Sequence, residues 1–82
     1  MKARIKTKIG PYQGPFEKVI TYRLELNNNN IVVWHENGKR DFPDLNTNDI
    51  IEGLIVKTIN NKILPDYKNS KIKKYNNQIL IF

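Results

Sequence analysis

Residues 17–35 have the sequence EKVITYRLELNNNNIVVWH, and this stretch decides the fold class. Apolar and polar side chains alternate in its first half, and this period of two predicts a half-buried β-strand. The side expected to face the core carries Ile20, Tyr22, Leu24 and Leu26. The four asparagines at 27–30 predict a tight turn, because Asn tolerates the left-handed backbone conformation. The run 31–35 is β-branched and aromatic, so the whole stretch predicts a β-hairpin.

A second alternating segment precedes this hairpin at residues 3–9. One face carries Ala3, Ile5, Thr7 and Ile9, and the other carries Arg4, Lys6 and Lys8. The pattern predicts a first strand with a cationic outer face. Residues 10–16 contain two Gly-Pro pairs and therefore predict a loop. We expect Phe16 in this loop to fold down over the core.

The chain after the hairpin continues with a polar connection and another strand. Residues 36–48 are polar and predict a long connection. Residues 50–59 predict a fourth strand, in which Gly53 marks a bulge or a barrel corner. The Asn60-Asn61 pair after it predicts a turn.

A fifth strand is expected to end at residues 78–82, which are mostly apolar. Five strands with a long connection between the third and the fourth predict an all-β fold, namely a five-stranded OB-type antiparallel barrel. An SH3-like small barrel is the alternative, since it also has about five short strands. The chain is short enough that residues 1–82 form a single domain.

The positive charge is concentrated towards the two ends of the chain. The 82 residues carry 14 Lys and Arg against 8 Asp and Glu, a net charge of +6. Residues 1–9 and 60–77 hold the excess, whereas the middle is mildly acidic. A fold that brings the ends together would form a basic surface that attracts phosphate backbones. The alternative is that the lysines only keep a small protein in solution.

The composition argues against several other kinds of protein and site. The chain has no cysteine and a single histidine, His35, which argues against disulfides and zinc sites. Its carboxylates lack the spacing of a metal or triad motif, so we expect neither catalysis nor a cofactor. No secretory signal or apolar span of about 20 residues is present. We therefore expect a cytoplasmic protein with no membrane partner.

Residues 14–57 resemble OB domains of single-stranded DNA-binding and tRNA-anticodon-binding proteins. The elements that carry the resemblance are Tyr22–Leu26, Val33-Trp34, Leu45, Asn48-Asp49-Ile50-Ile51 and Gly53. The tail YKNSKIKKYNNQILIF is similar to the last hairpin and strand of OB domains in bacterial and phage replication proteins. The resemblance implies binding of single-stranded DNA, favoured over RNA, in replication or repair of a bacterium, phage or mobile element. Because a basic domain this small should bind a strand weakly alone, a homo-oligomer or a larger replication complex is the expected setting.

Binding of a single strand needs cations for the phosphates and aromatic rings on which the bases stack. The candidate nucleic-acid-binding residues are Lys6, Lys8, Tyr12, Arg23, Trp34, Lys57, Tyr67, Lys68, Lys71, Lys73, Lys74 and Tyr75. Alternation does not decide whether Trp34 is a stacking platform or a core residue, because both faces of its strand are apolar. Tyr22 shares a face with apolar neighbours, which favours the core.

The alternative function is binding of another protein instead of nucleic acid. Small basic barrels also bind acidic proteins, so the chain could be a protein–protein interaction module or an inhibitor of an acidic partner. Salt-sensitive binding to such a protein, without binding to oligonucleotides, would distinguish this alternative. The interleaving of Tyr and Lys in the tail favours nucleic acid.

Overall fold

The computed structural model describes residues 1–38 and 42–75, and every regular element in these ranges is a β-strand. The strands are β1 (Ala3–Gln13), β2 (Lys18–Leu26), β3 (Ile31–Glu36), β4 (Ile50–Glu52), β5 (Val56–Ile59), β6 (Lys62–Pro65) and β7 (Lys73–Lys74). All paired strands are antiparallel, which confirms the predicted all-β class. The fifth strand predicted to end at residues 78–82 lies outside the described ranges. Among the described residues, no helix could cross a membrane.

The strands form two sheets. Five of them are hydrogen-bonded in the order β3-β2-β1-β4-β7, and β5 and β6 form a separate hairpin. This hairpin lies against β3 through β6. No ladder joins β3 to β6 in the described part of the chain, so the sheets do not form a closed barrel there.

The predicted turns are confirmed, and asparagine supplies their left-handed residues. Asn29 has φ 67° in the turn between β2 and β3. Asn60 and Asn61 have φ 51° and 64° in the two-residue loop between β5 and β6. Two successive positive φ values define the type I′ turn, whose twist matches that of the flanking strands.

A bulge interrupts the pairing of β1 with β2. Ile5 lies opposite Leu24, and Thr7 lies opposite Arg23, the next residue along β2. Lys6 is therefore an extra residue on β1. Such a bulge reverses the alternation of faces that follows it, because side chains in a strand point to opposite sides at each step.

The predicted faces of the first strand are therefore wrong beyond the bulge. Lys8 was expected on the outer face, but it lies opposite Tyr22, whose side chain is in the core. Ile9 was expected in the core, but it is 49% exposed. Ala3 and Ile5, which precede the bulge, are fully buried as predicted.

The loop predicted at residues 10–16 is shorter than expected. A second register shift, between Ile9 and Tyr12, coincides with Gly10 at φ +107°, and strand pairing resumes after it. The strand consequently continues through the first Gly-Pro pair instead of ending before it. The turn that follows holds Phe16 away from the protein, and the prediction that it covers the core is wrong, since it is 95% exposed.

The strand predicted at residues 50–59 is divided into β4 and β5, which belong to different sheets. Gly53, at φ +89°, follows β4 and lies where the chain leaves the five-stranded sheet for the β5–β6 hairpin. A Cβ atom at this position would lie 1.9 Å from the carbonyl oxygen of Lys71. The absence of a side chain therefore allows the segment around Lys71 to approach the end of β4.

The core lies on one face of the five-stranded sheet. Its buried members are Ala3, Ile5, Tyr22, Leu24, Leu26, Val32, Trp34, Leu45, Ile51, Leu54 and Ile72. Full burial of a large aliphatic side chain contributes roughly 1.5–3 kcal/mol. The core assignment of Tyr22 is confirmed. Trp34 is also a core residue, 1% exposed, and its Nε1 donates to Glu36 Oε2 at 3.2 Å.

Candidate functional site

The segment that follows β6 is held in place by polar contacts. The side-chain amide of Asn69 donates to Asp66 Oδ2 at 2.8 Å, and the backbone N–H of Ser70 donates to the Asp66 carbonyl at 3.0 Å. Ser70 Oγ accepts from the N–H of Ile55 at 2.8 Å and donates to the Ile55 carbonyl at 3.1 Å. The hydrogen bond from Asn69 is the main reason that the pKa of Asp66 lies below its usual value.

This anchored segment forms one wall of a cleft of about 520 Å³. The residues that line this basic cleft are Trp34, Phe42, Tyr67, Lys68, Ser70, Lys71, Ile72 and Lys73. The three lysines are exposed, and no Asp or Glu is among the described lining residues. The cleft therefore combines cationic side chains with an aromatic floor.

Tyr67 occupies a defined position in this floor. Its ring packs edge-on against Trp34, with centroids 4.6 Å apart and an interplanar angle of 61°. Its hydroxyl accepts a hydrogen bond from the backbone N–H of His35 at 3.2 Å. Phe42 contacts Trp34 from another direction, with centroids 5.3 Å apart. The half-buried Tyr67 ring is thus fixed at both ends by β3.

A second depression, of about 380 Å³, lies between β3 and the β5–β6 hairpin. The residues that line this apolar groove are Ile31, Val33, His35, Lys57, Ile63, Leu64, Pro65 and Tyr67. Tyr67 also lines the basic cleft, so the two depressions meet at its ring. Arg23 lies opposite Val33 in the β2–β3 ladder and is exposed beside the groove.

Other predicted residues lie on the outer face of the five-stranded sheet. The hydroxyl of Tyr12 is 2.7 Å from Thr21 Oγ1, which in turn is 3.0 Å from His35 Nδ1. This chain of contacts reaches the apolar groove at His35. The Tyr12 ring itself is 42% exposed and available for contact with a ligand.

The outer face also carries an ion-pair cluster around Glu25. Arg4 and Lys6 both pair with its carboxylate, Lys6 at 3.6 Å. The hydrogen bond from Arg4 is the main cause of the lowered pKa of Glu25. The charge of Lys6 is therefore partly compensated within the protein.

Two further predicted lysines, like Lys6, lie outside both depressions. Lys8 pairs with Asp44 at 3.4 Å and lies near the Tyr22 ring, because the β1 bulge directs it to that side. Burial is the main reason that the pKa of the Tyr22 phenol is raised, and Lys8 opposes this shift. Lys74 pairs with Asp49 at 3.4 Å. Neither lysine lines the basic cleft.

Two predicted aromatic residues offer no ring to a base in the basic cleft. Trp34 contributes to the floor of the basic cleft, but its burial leaves no ring face for a base, and its role as a platform is corrected to a core role. Tyr75 is half-buried, with Lys2 Nζ 4.0 Å from its ring centroid, and its N–H donates to Ile50 at the sheet edge. It does not line the cleft that contains Lys71 and Lys73.

The structure adds site residues that sequence reasoning missed. Phe42 and Ser70 line the basic cleft, and Val33 and Leu64 line the apolar groove. One signal was present for Val33, since its strand is apolar on both faces and only one face can cover the core. No local pattern marks Phe42, whose position depends on the connection between β3 and β4.

Within residues 1–38 and 42–75, no three His, Asp or Glu side chains are grouped so that they could hold a metal ion. Comparisons with protein-family models, curated proteins and solved structures find no match to this chain. Function is therefore inferred from the chemistry of the basic cleft and the apolar groove.

Proposed function

We propose that the protein binds single-stranded nucleic acid in the basic cleft, with DNA favoured over RNA, and that it acts by binding and not by catalysis. The observation that carries this proposal is the composition of the cleft. Lys68, Lys71 and Lys73 surround it, and the half-buried ring of Tyr67 lies in its floor. Cations that hold phosphates beside an aromatic ring that contacts bases are the combination that single-strand binding requires.

The electrostatics of the whole chain support an anionic ligand. The net charge of +6 attracts polyanions at a distance, and the described lining of the cleft brings no opposing carboxylate. One neighbouring acid, Asp49, pairs with Lys74, and another, Glu52, lies opposite Lys73 in the β4–β7 ladder. The three cleft lysines are thus the side chains best placed to neutralise phosphates.

The strand arrangement is compatible with an OB barrel that is open between β3 and β6. In this proposal β1 pairs with both β2 and β4, and the β5–β6 hairpin returns to lie against β3, where an OB barrel would close. OB folds are partly open barrels that bind oligonucleotides on the face of their second and third strands and on the adjoining loops. A role in replication or repair, within a homo-oligomer or a larger complex, would extend the same proposal.

The proposal is tested by fluorescence anisotropy with labelled single-stranded DNA, single-stranded RNA and duplex DNA of equal length at several salt concentrations. We expect tighter binding to the single strands, and affinity that falls steeply as salt rises because bound counterions are released. The comparison of DNA with RNA decides which is preferred. Absence of binding to all three at low salt would contradict the proposal and direct attention to an acidic protein partner.

A further inference from the structure

One edge of β3, which pairs with no strand among residues 1–38 and 42–75, presents backbone groups to the apolar groove. The N–H of Leu26 donates to the carbonyl of Asn30 at 2.8 Å, which defines a hydrogen-bonded pair in the β2–β3 hairpin. Such pairs alternate along an antiparallel ladder, so Val32 also bonds to β2, whereas the backbone groups of Ile31 and Val33 point away from β2. They are therefore directed to the side on which β6 lies.

One contact supports this assignment. The N–H of His35, two residues beyond Val33, points to the same side and donates to the Tyr67 hydroxyl. For Ile31 and Val33, no described residue hydrogen-bonds to the backbone on that side. The groove therefore contains backbone donors and acceptors on its β3 wall.

The opposite wall of the groove, formed by β6, also presents a backbone donor and acceptor. The two-residue turn makes Ile59 and Lys62 a hydrogen-bonded pair, and Lys57 and Leu64 the next one. The backbone groups of Ile63, between these pairs, thus point away from β5. Between the two edges lie aliphatic side chains, of which Val33 and Leu64 are each 38% exposed.

We propose that the apolar groove receives one unpaired base of a strand whose phosphates lie in the basic cleft. This inference depends on the proposed function and specifies which part of the ligand is recognised. A pocket with apolar walls and a few backbone donors and acceptors suits a flat heterocycle with polar edges. A base held in this way cannot be paired with another strand, so the groove would select single strands against duplex.

The connection of the groove to the basic cleft, and the cations beside the groove, favour a nucleotide as its occupant. The groove and the cleft share Tyr67, so a strand that leaves the lysines passes directly over its ring. Lys57 lines the groove and Arg23 is exposed next to it, and either cation can contact the phosphate on the far side of the bound base. The volume of about 380 Å³ lies in the usual range for small-ligand pockets, roughly 300–1,000 Å³.

The test compares a labelled thymidine oligomer with an abasic deoxyribose-phosphate oligomer of the same length, measured by fluorescence anisotropy. The two probes carry equal charge and differ only in the bases. We expect the thymidine oligomer to bind at least about tenfold more tightly, which is the effect of one well-contacted base. In Val33→Ser and in Leu64→Ser the thymidine oligomer should lose most of this advantage, while the abasic oligomer binds unchanged.

Ile9→Ser is the matched control, because Ile9 is an exposed β-strand isoleucine that does not line the groove, and it should preserve the difference between the probes. Thermal unfolding of each variant checks that the fold is retained. Equal loss for both probes in the serine variants would overturn the groove proposal and leave the cleft proposal standing. Equal binding of both probes by the unaltered protein would contradict base contact both in the groove and at the Tyr67 ring. Absence of binding to either probe would contradict both.

Discussion

The ring of Tyr67 packs edge-on against Trp34, with centroids 4.6 Å apart, and so couples the candidate ligand surface directly to the core. Trp34 is buried and holds Glu36 through its indole N–H. Tyr67 lies above it, half-buried, where the basic cleft and the apolar groove meet. The position of the one ring that we assign to base contact is therefore set by packing and does not require the ligand.

Removal of the Tyr67 hydroxyl should lower the free energy of unfolding but leave the affinity for single-stranded DNA nearly unchanged. In Tyr67→Phe the hydrogen bond from the His35 N–H is lost, and the free energy of unfolding should fall by about 1 kcal/mol. The ring remains, so affinity for single-stranded DNA should stay within about twofold. Urea unfolding and anisotropy measure the two quantities. Tyr12→Phe serves as control, since it loses a comparable contact, with Thr21, outside the cleft.

Neighbouring lysines of β7 should contribute unequally to binding. Lys73 lines the basic cleft, whereas Lys74 pairs with Asp49. Lys73→Gln should weaken binding to single-stranded DNA and lower the slope of log affinity against log salt by about 0.7, the value for one lost phosphate contact. Lys74→Gln removes the same charge and should change the slope much less. Equal slopes for the two variants would show that only net charge matters.

Gly53 should be required for the shape of the cleft. In Gly53→Ala a Cβ atom is placed against the Lys71 carbonyl. The left-handed backbone conformation of an alanine costs a further amount on the order of 1 kcal/mol. Gly38→Ala has the same backbone requirement, at φ +79°, but its Cβ meets no atom of the described residues within 4 Å. We expect Gly53→Ala to lose more stability and also affinity, while Gly38→Ala loses stability only. Similar losses in both variants would argue against the close approach at Gly53.

Stability should decrease in acid through the Glu25 ion pair. Arg4 lowers the pKa of this carboxyl in the native state below its ordinary value of 4.5, so the unfolded chain binds a proton more readily. The pair consequently stabilises the fold above about pH 4.5, and this contribution disappears as the pH falls through the native pKa. Urea unfolding over a pH series should show a shallower acid slope for Glu25→Gln. An unchanged slope would mean that the pair is too weak to matter.

The period-two pattern was sufficient to predict the all-β class, the β2–β3 hairpin and its asparagine turn. These features depend on local alternation and turn chemistry, which are visible in the sequence. The bulge at Lys6 was not predictable, because no glycine or proline marks it, and it reversed the expected faces of Lys8 and Ile9. A single extra residue in a strand has this effect on every side chain beyond it.

The candidate site was predictable only in part. The lysines of the tail and Tyr67 were identified because aromatic and cationic residues alternate there, and Lys68, Lys71 and Lys73 do meet in one cleft. Their separation from Lys74 arises from strand pairing in β7, which no short-range pattern indicates. The apolar groove exists because β3 and β6 approach each other without a ladder in the part of the chain that the structure describes. This approach depends on the whole fold and not on a local pattern.

The most direct test of single-strand binding at the cleft is a titration of the isotopically labelled protein with a short thymidine oligomer, followed by amide chemical-shift changes in two-dimensional NMR. We expect the largest changes along residues 67–73, together with Val33 and Ile63 in the groove. Amides around Lys8 and Asp44, on a different part of the surface, should change little. Changes that cluster at Lys8 and Asp44, or their absence throughout the spectrum at saturating oligomer, would contradict the account.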